Sequence, residues 1–504
     1  MAHEWLSPLD EHNQALLSRV HPPDWINPRP KSEYDLVVIG AGAGGLVATI
    51  GAATLGARVA ICERALLGGD CLNVGCVPSK AVIRASRVAR TVEEAGGYGI
   101  GVNSKPEPDF GAVMRRMRRL RAQISPNDSA QRLTGLGVDV FFGEAAFADG
   151  RTVEVAGSRL RFRKAIIAAG ARALVPPVPG LAEAGYLTNE NVFNLTERPG
   201  HLLLLGAGPI GAELAQALRR LGSQVTVVAM DPHFLPREDE DAARVLHRQF
   251  EREGIAFHFG ATLSRVEKVG ARKHVTARKG DASFSLDVDE ILVAAGRIAN
   301  TESLNLDAAR VAVKNRRVEV DARLRTTNPR IYAVGDVCLP YQFTHVSGAS
   351  GGLALQNALL RGRKKWTDLV IPWATYTDPE VAHVGLYERD AQARGIAVRT
   401  FTRELNEVDR AILDGDEEGF VKVLVREGTD KIVGATIVAR HAGEMISEIT
   451  LAISAGIGLG KIAGTIHPYP TQAEAIQQAG HAYLKTRLTP FVKKLLRFLI
   501  RILN

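Results

Sequence analysis

Hydrophobic and polar positions along this chain predict strand–turn–helix–strand units. An apolar run at 34–40, YDLVVIG, precedes a glycine turn and an Ala-rich stretch, and a second apolar run follows at 57–63. Apolar runs bounded by glycines indicate buried strands, and such a unit of about 30 residues is typical of a parallel α/β sheet. The succession returns with HLLLLG at 201–206 and SQVTVVAM at 223–230. The sequence therefore predicts an α/β protein with two such units.

The pattern changes from IPWATYTDPEVAHVG at 371–385 onward. Strand-like FVKVLVRE and KIVGATIVA come before helix-like AGEMISEITLAISAG, which predicts a separate α+β domain. Residues 1–33 are Pro-rich and are expected to form an irregular extension on the surface.

Composition supports a soluble, globular, multidomain chain: 504 residues, of which 46% are hydrophobic and 23% charged. The polar start MAHEWLSPLDEHNQ lacks the apolar core of a secretory signal, which predicts a cytoplasmic location. The net charge is +8, partly from MRRMRRLRAQ at 114–123. Its arginines alternate with apolar residues at helical spacing, so we interpret them as a solvated helix face and expect no nucleic-acid partner.

A glycine-rich turn at Gly40, Gly42 and Gly45 joins the first predicted strand to its helix. In this spacing the first glycine allows a tight turn, the second lets a pyrophosphate approach the backbone, and the third lets helix pack on strand. Glu63 ends the next strand, where its carboxylate can accept hydrogen bonds from a ribose. The turn is therefore predicted to bind a dinucleotide.

The second unit repeats the turn at Gly206, Gly208 and Gly211, which predicts a second dinucleotide site. Its second strand ends in Ala229 and Met230, without the carboxylate or the arginine that would distinguish NADH from NADPH. The choice between these two cofactors stays open.

Two of the four cysteines, Cys71 and Cys76, stand in GGDCLNVGCVPSK at 68–80. A zinc site needs about four ligands, and no His follows at a fitting distance, so no metal site is predicted. A cytosolic disulfide is usually catalytic or redox-sensing; two buried, inert thiols are the alternative. Pro78 suits a helix start, and a helix N-terminus together with Lys80 would stabilise a thiolate.

This segment resembles the redox-active signature of the class I pyridine nucleotide-disulfide oxidoreductases, which include dihydrolipoamide dehydrogenase, glutathione reductase and mercuric reductase. The resemblance extends over residues 34–487 and includes TTNPRIYAVGD at 326–336 and TDPEVAHVG at 377–385. It implies a homodimer with two Rossmann-like nucleotide-binding domains and a C-terminal α+β dimerisation domain. The implied boundaries are 34–170 with 298–368 for the FAD domain, 171–297 for the NAD(P) domain and 369–487 for the dimerisation domain.

The resemblance also implies which residues bind FAD and NAD(P)H. Asp336 would contact the ribitol side of the flavin, Ala145 would meet the adenine through its backbone, and Lys80, paired with Glu213, would lie beside the flavin. The implied cofactor-binding residues are Gly40, Gly42, Gly45, Glu63, Lys80, Ala145, Gly170, Gly206, Gly208, Gly211, Gly296, Arg297, Asp336 and His345.

The chemistry implied by the resemblance is an electron relay. NAD(P)H would reduce FAD, and FAD would reduce a disulfide between Cys71 and Cys76. Cys76 would be the sulfur nearer the flavin. Cys71 would attack or bind the substrate, which would be a metal ion such as Hg(II) or a disulfide.

In the family, a segment of the partner subunit handles protons near the thiols; here it reads HPYPTQAE at 467–474. Tyr469 stands where dihydrolipoamide dehydrogenase has a His and mercuric reductase a Tyr, and Glu474 keeps the carboxylate. His467 is the alternative proton-handling residue. Val346 replaces a Lys of the dehydrogenase and also favours a mercuric reductase-like enzyme, although the tail lacks the Cys pair of those enzymes. A dihydrolipoamide dehydrogenase and a redox-inert, membrane-attached flavoprotein are the alternatives.

The tail at 488–504 is predicted to be a basic amphipathic helix. Lys493, Arg497 and Arg501 recur every four residues, and apolar residues cover the other side. The tail is too short to span a bilayer, which needs about 20 apolar residues. It suits either contact with anionic lipid at the inner face of the membrane or docking on its own dimer.

Overall fold

The computed structural model describes residues 6–102 and 107–503, which form two compact units. The nucleotide unit comprises the chain up to Asp231 together with Ile255–Leu369. The C-terminal unit comprises Pro232–Gly254 and the chain from Val370 onward. Residues 1–5 of the predicted extension and residue 504 of the predicted tail lie outside the described residues. Within the described ranges, no helix is both long and apolar enough to cross a bilayer.

A seven-stranded sheet forms the first half of the nucleotide unit. Its strand β1 (Tyr34–Ile39) pairs in parallel with β2 (Val59–Glu63) on one side and with β6 (Ser158–Ile167) on the other. Both β1 and β2 are buried almost throughout, which is why each reads as a continuous apolar run. The remaining strands are β3 (Asp139–Phe142), β4 (Ala145–Asp149), β5 (Thr152–Val155) and β18 (Ile331–Ala333).

The second predicted unit forms a four-stranded parallel sheet in the order β10–β9–β8–β14, with β8 at His201–Leu205. An antiparallel three-stranded sheet and two short ribbons complete the nucleotide unit. The other strands of these sheets are β7 (Ala171–Ala173), β9 (Gln224–Ala229), β10 (Ala256–Phe259), β11 (Ala261–Val269), β12 (Arg272–Lys279), β13 (Ala282–Val288), β14 (Glu290–Val293), β15 (Arg297–Ala299), β16 (Val313–Lys314) and β17 (Arg317–Val318).

The helices of the nucleotide unit include α2 and α8, into which the glycine turns lead as the sequence predicts. They are α1 (Glu11–Val20), α2 (Ala43–Thr54), α3 (Gly69–Asn73), α4 (Cys76–Glu94), α5 (Phe110–Ile124), α6 (Ala130–Gly135), α7 (Leu181–Ala184), α8 (Pro209–Arg220) and α10 (Thr344–Leu359).

The C-terminal unit is built on a five-stranded antiparallel sheet in the order β19–β20–β23–β22–β21. Its strands are β19 (Pro372–Thr375), β20 (Glu380–Gly385), β21 (Val398–Glu404), β22 (Phe420–Arg426) and β23 (Ile432–Ala439). Its helices are α9 (Glu240–Arg252), α11 (Glu388–Ala393), α12 (Asp409–Asp414), α13 (Ala442–Ser454), α14 (Leu459–Ala463), α15 (Glu474–Arg487) and α16 (Pro490–Leu503). The predicted fold class, α/β with a C-terminal α+β domain, is confirmed.

The N-terminal extension is not irregular throughout, so that prediction was wrong. Helix α1 begins after Asp10, whose side chain accepts a hydrogen bond from the backbone N–H of Asn13 at 2.9 Å, as an N-cap does. Leu16, Leu17 and Val20 are buried on one side of this helix. Because the helix is short and lies between prolines, its amphipathic pattern is easy to overlook.

The predicted solvated face of the arginine-rich helix α5 was also partly wrong. Arg118 and Arg121 are only 3% and 1% exposed. Arg118 pairs with Asp10 at 2.6 Å, and Arg121 donates to the side-chain oxygen of Asn13 at 2.7 Å and to the backbone carbonyl of Asn73 at 2.5 Å. Burial lowers the pKa of Arg121 to about 10, so it stays charged near neutrality. Arg121 thereby joins α1 to the segment between the two cysteines.

Candidate active site

The two glycine turns share one steric pattern. Gly40 and Gly206 have φ values of +101° and +115°, and a Cβ on them would stand 2.3 and 2.4 Å from a backbone carbonyl oxygen. A Cβ on Gly45 or Gly211 would stand 1.9 or 2.5 Å from the carbonyl oxygen of the first glycine. The fold itself therefore requires glycine at the first and third positions of each turn.

The middle glycine differs, because the protein leaves space beside it. A Cβ on Gly42 would have its nearest described neighbour at 3.9 Å, and one on Gly208 would have no described atom within 4 Å. Both glycines are the N-caps of their helices, α2 and α8. Free space at a helix N-terminus, where backbone N–H groups attract anions, fits the pyrophosphate of a dinucleotide.

Glu63 lies at the end of β2 and supports the first glycine turn. Its carboxylate accepts hydrogen bonds from the backbone N–H groups of Ala41 and Ala65, both at 2.8 Å. Burial raises its pKa. The same carboxylate that is predicted to hold a ribose thus fixes the loop on which the ribose would lie. Ala145 is buried at the start of β4.

Cys71 lies in the short helix α3, and Cys76 is the first residue of α4. Gly68, with φ of +91°, is the N-cap of α3. The two thiols hydrogen-bond each other, which lowers the pKa of Cys76 to about 6 and, together with burial, raises that of Cys71. The pair is therefore polarised: one sulfur is a thiolate near neutral pH and the other keeps its proton.

Three further side chains act on the Cys76 sulfur. The hydroxyl of Thr344, at the start of α10, lies 3.2 Å from it. The charge of Lys80, one turn along α4, also lowers the pKa of Cys76, whereas that of Glu213 opposes it. Lys80 donates to Glu213 on α8 at 2.7 Å, so the thiolate lies near an ion pair and at the N-terminus of its own helix.

Arg297 links the cysteine segment to Asp336. Its guanidinium pairs with Asp70, the residue before Cys71, and lies 3.6 Å from the carboxylate of Asp336. Burial raises the pKa of Asp336 to about 6, although the charge of Arg297 opposes the rise. The carboxylate oxygens of Asp336 can accept hydrogen bonds, which suits contact with a polyhydroxyl chain.

The remaining cofactor candidates of the nucleotide unit lie at turns and helix ends. Gly170 and Gly296 have φ values of +66° and +118° and flank β7 and β15, which pair with each other. His345 follows Thr344 in α10, is exposed, and stacks on Phe343 with ring centroids 5.5 Å apart.

Three candidates lie in the C-terminal unit. Tyr469 is 70% exposed, and its hydroxyl donates to Asp409 at 3.1 Å, a hydrogen bond that raises the pKa of the tyrosine. Glu474 is half-buried at the start of α15. The ring of His467 contacts Glu448 on α13 at 3.1 Å. Glu448 was not expected from the sequence.

A cavity of roughly 410 Å³ opens beside Cys76 between α4 and α5. Its lining includes the cations Lys80, Arg84 and Arg116 and the apolar side chains of Val77 and Leu120. The cavity makes the Cys76 sulfur accessible from outside the protein.

Sequence reasoning missed Thr344, Asp70 and Arg121. Each acts through a partner far away in the chain: Thr344 is 268 residues from Cys76, and Asp70 is 227 from Arg297. Local patterns carry no signal for such contacts. Asp70 could have been suspected from its place beside Cys71.

Two glycine turns built for dinucleotides and a polarised cysteine pair define a flavin- and nicotinamide-dependent disulfide oxidoreductase. The chain belongs to the pyridine nucleotide-disulphide oxidoreductase family, which residues 34–352 match, and residues 371–480 match the dimerisation domain of that family. The protein is thus an enzyme that uses FAD and NAD(P)H, and it carries a dimerisation domain.

Relatives with two different activities are similar to this chain. A mercuric reductase of Bacillus cereus is 34% identical over 455 residues, which are 90% of this chain and 72% of that protein. A dihydrolipoyl dehydrogenase of Thermus scotoductus is 36% identical over 462 residues, or 90% of this chain and 98% of that protein. The HOCl-induced flavoprotein disulfide reductase RclA from Escherichia coli has a similar structure, with a TM-score of 0.79, 28% identity, and coverage of 89% of this chain and 99% of that one.

Proposed function

We propose that the enzyme passes two electrons from NAD(P)H, through Cys71 and Cys76, to a thiol-reactive substrate, and that a soft metal ion such as Hg(II) is the leading candidate. The observation that carries the proposal is the polarised pair: Cys76 has its pKa lowered to about 6 and that of Cys71 is raised. Bound FAD supplies the two-electron carrier between nicotinamide and sulfur.

The two cysteines have different roles in this proposal. Cys76 is held as the thiolate by Thr344, Lys80 and the N-terminus of α4. This sulfur would therefore be the one that exchanges electrons with FAD. Cys71 keeps its proton until a substrate arrives, and its sulfur then forms a bond to the substrate. Lys80, which donates to Glu213 at 2.7 Å, places a cation near the Cys76 sulfur.

A metal ion and a disulfide would be reduced by the same cysteine pair, but the two reactions would differ in stoichiometry. A soft divalent ion would bind thiolate sulfur and take up two electrons, so that M²⁺ and NAD(P)H give M⁰, NAD(P)⁺ and H⁺. A disulfide would be cleaved by Cys71, which forms a mixed disulfide and releases one thiol; Cys76 would then attack Cys71 and release the second. That reaction consumes NAD(P)H and one proton and yields two thiols.

Two comparisons support a metal substrate. Relatives in Bacillus cereus and Streptomyces lividans are named mercuric reductases. RclA, which is 28% identical with a TM-score of 0.80, has been solved as a Cu(II) complex.

We propose that Tyr469 and Glu474 handle protons for the sulfur pair across the dimer, with residues 369–487 as the dimerisation domain. The FAD domain in this proposal comprises 34–170 and 298–368, and the NAD(P) domain 171–297. Tyr469 is exposed, as a residue that serves another subunit would be.

A second candidate, a dihydrolipoyl dehydrogenase, is favoured by the contact between His467 and Glu448 at 3.1 Å. A histidine paired with a carboxylate is a competent base, so His467 would take the proton-handling role in place of Tyr469. A relative of that name is 36% identical to this chain.

One steady-state experiment separates the two candidates. The holoenzyme is assayed with Hg(II), Cu(II), lipoamide and glutathione disulfide, each with NADH and with NADPH. We expect a metal ion to be preferred, Tyr469→Phe to lower its turnover and His467→Gln to leave it unchanged. A preference for lipoamide that is lost with His467→Gln, not with Tyr469→Phe, would establish the second candidate and overturn the first.

A further inference from the structure

The last helix, α16, presents an apolar surface that is largely exposed in the described part of the chain. No side chain between Pro490 and Leu503 is buried, and Phe491, Phe498 and Leu503 are 74%, 59% and 79% exposed. Isolated exposed hydrophobic residues are ordinary, but a contiguous row of them marks an interaction surface. The helix also lies beyond the match to the dimerisation domain, which ends at residue 480.

The helix has a start of its own. The hydroxyl of Thr489 accepts a hydrogen bond from the N–H of Val492 at 3.3 Å, and Pro490 occupies the first helical position, where its missing N–H costs nothing. The sequence therefore specifies a separate helix after α15, not a frayed continuation of it.

The cations of α16 lie on one side of the helix and its apolar side chains on the other. At 100° per residue, its four cations fall within an arc of about 100° and the apolar side chains cover the remaining surface. Residues 485–503 contain no Asp or Glu, while the net charge of the whole chain is +8. The cations of this segment, which supply most of that net charge, are Lys485, Arg487, Lys493, Lys494, Arg497 and Arg501.

We propose that α16 docks in the plane of an anionic lipid bilayer, with its apolar face among the acyl chains and its cations at the level of the headgroups. A helix of 14 residues is about 21 Å long and cannot cross a hydrocarbon core of about 30 Å. Lysine and arginine beside an apolar face can extend to the headgroups and pair with lipid phosphates. Charge complementarity therefore selects anionic lipid as the occupant, and the enzyme would act at a membrane surface.

Vesicle flotation of the full-length, FAD-bound protein tests the proposal. Vesicles of phosphatidylcholine alone are compared with vesicles that also contain phosphatidylglycerol. The protein is expected to float with the anionic vesicles. The triple variant Lys493→Gln, Arg497→Gln, Arg501→Gln should bind them at least about tenfold more weakly, because each cation near an anionic surface adds attraction. Phe498→Gln with Ile502→Gln, which keeps all cations, should also lose binding.

A matched control removes the same number of exposed cations elsewhere: Lys268→Gln, Arg278→Gln and Lys279→Gln should float like the parent protein. Flotation equal for the parent and both tail variants, or equal on neutral and anionic vesicles, overturns the proposal. A second readout is the oligomeric state by size-exclusion chromatography. If the tail variants or the 1–487 protein turn from dimer to monomer, the apolar face serves the dimer and the lipid proposal is overturned.

Discussion

The hydroxyl of Thr344 lies 3.2 Å from the sulfur of Cys76, although 268 residues separate them in the chain. The contact joins the start of α10 to the start of α4. A hydroxyl that donates to a thiolate stabilises the charged form and thereby keeps the pKa of Cys76 below its usual value.

Thr344→Val is expected to raise the pKa of Cys76 by about one unit, because a hydrogen bond to a charged group contributes about 1.5 kcal/mol and one unit corresponds to 1.36 kcal/mol. The wild-type pKa of about 6 means that the thiolate forms as pH rises through 6. The rate of alkylation of Cys76 against pH is compared with and without Thr344→Val in the same Cys71→Ser background. The loss of the Cys71 thiol shifts both midpoints away from 6, so the difference between the two midpoints reports the contribution of Thr344. Thr344→Ser keeps the hydroxyl and should behave like the parent; an unchanged midpoint in Thr344→Val would refute the role of this contact.

Substitutions of Lys80 and of Glu213 should shift the pKa of Cys76 in opposite directions. Lys80→Met removes a cation that favours the thiolate and should raise the pKa of Cys76, whereas Glu213→Gln removes an opposing anion and should lower it. Lys80→Met also leaves Glu213, which is 6% exposed, without this cation, and should cost about 1–3 kcal/mol of stability. Alkylation profiles and thermal midpoints measure both effects; shifts of the same sign in the two variants would contradict the argument.

Arg121→Ala is expected to destabilise the nucleotide unit by about 3 kcal/mol or more, because a buried network and its packing are lost together. The side chain holds Asn13 and the carbonyl of Asn73 at once. Arg119→Ala, on the exposed side of the same helix, is the matched control and should change stability by less than about 0.5 kcal/mol. Denaturant midpoints compare the two. Equal midpoints for the two variants would mean that the network contributes little.

Lys422→Met should destabilise the C-terminal unit. Lys422 is 6% exposed, and its ammonium contacts Asp239 at 2.7 Å and Asp241 at 2.8 Å. Burial lowers its pKa, but the two carboxylates outweigh this and raise it. Removal of the cation leaves two carboxylates facing each other, at a cost of about 2–3 kcal/mol. Thermal unfolding should show the loss, while Lys431→Met, at the exposed position just before β23, should not.

Features that depend on local sterics were predictable from the sequence. Gly40 and Gly45 are required by a carbonyl oxygen a few residues away or on the adjacent strand, so their spacing alone identified the turn. The apolar runs of β1 and β8 likewise predicted buried parallel strands. The cysteine segment was recognisable because its residues are contiguous.

Features that depend on distant partners were not predictable. The burial of Arg121 requires Asn13, which lies 108 residues earlier, and the same arginine on an isolated helix would be solvated. The grouping of α9 with the C-terminal unit depends on contacts such as Glu238 with Tyr387, at 2.6 Å and 149 residues apart. Hydrophobic periodicity is assessed within windows of about 18 residues and therefore cannot predict such distant contacts.

The position of α1 constrains how the protein is made. Leu16, Leu17 and Val20 leave the ribosome before helix α5, whose Arg121 binds Asn13 and follows it by 108 residues in the chain. At translation rates of about 5–20 residues per second, that interval is on the order of ten seconds. During that interval the apolar side of α1 has no partner to pack against. Helix α1 lies before the residues that match the family, yet it can complete its packing only after both Cys71 and Cys76 have been synthesised.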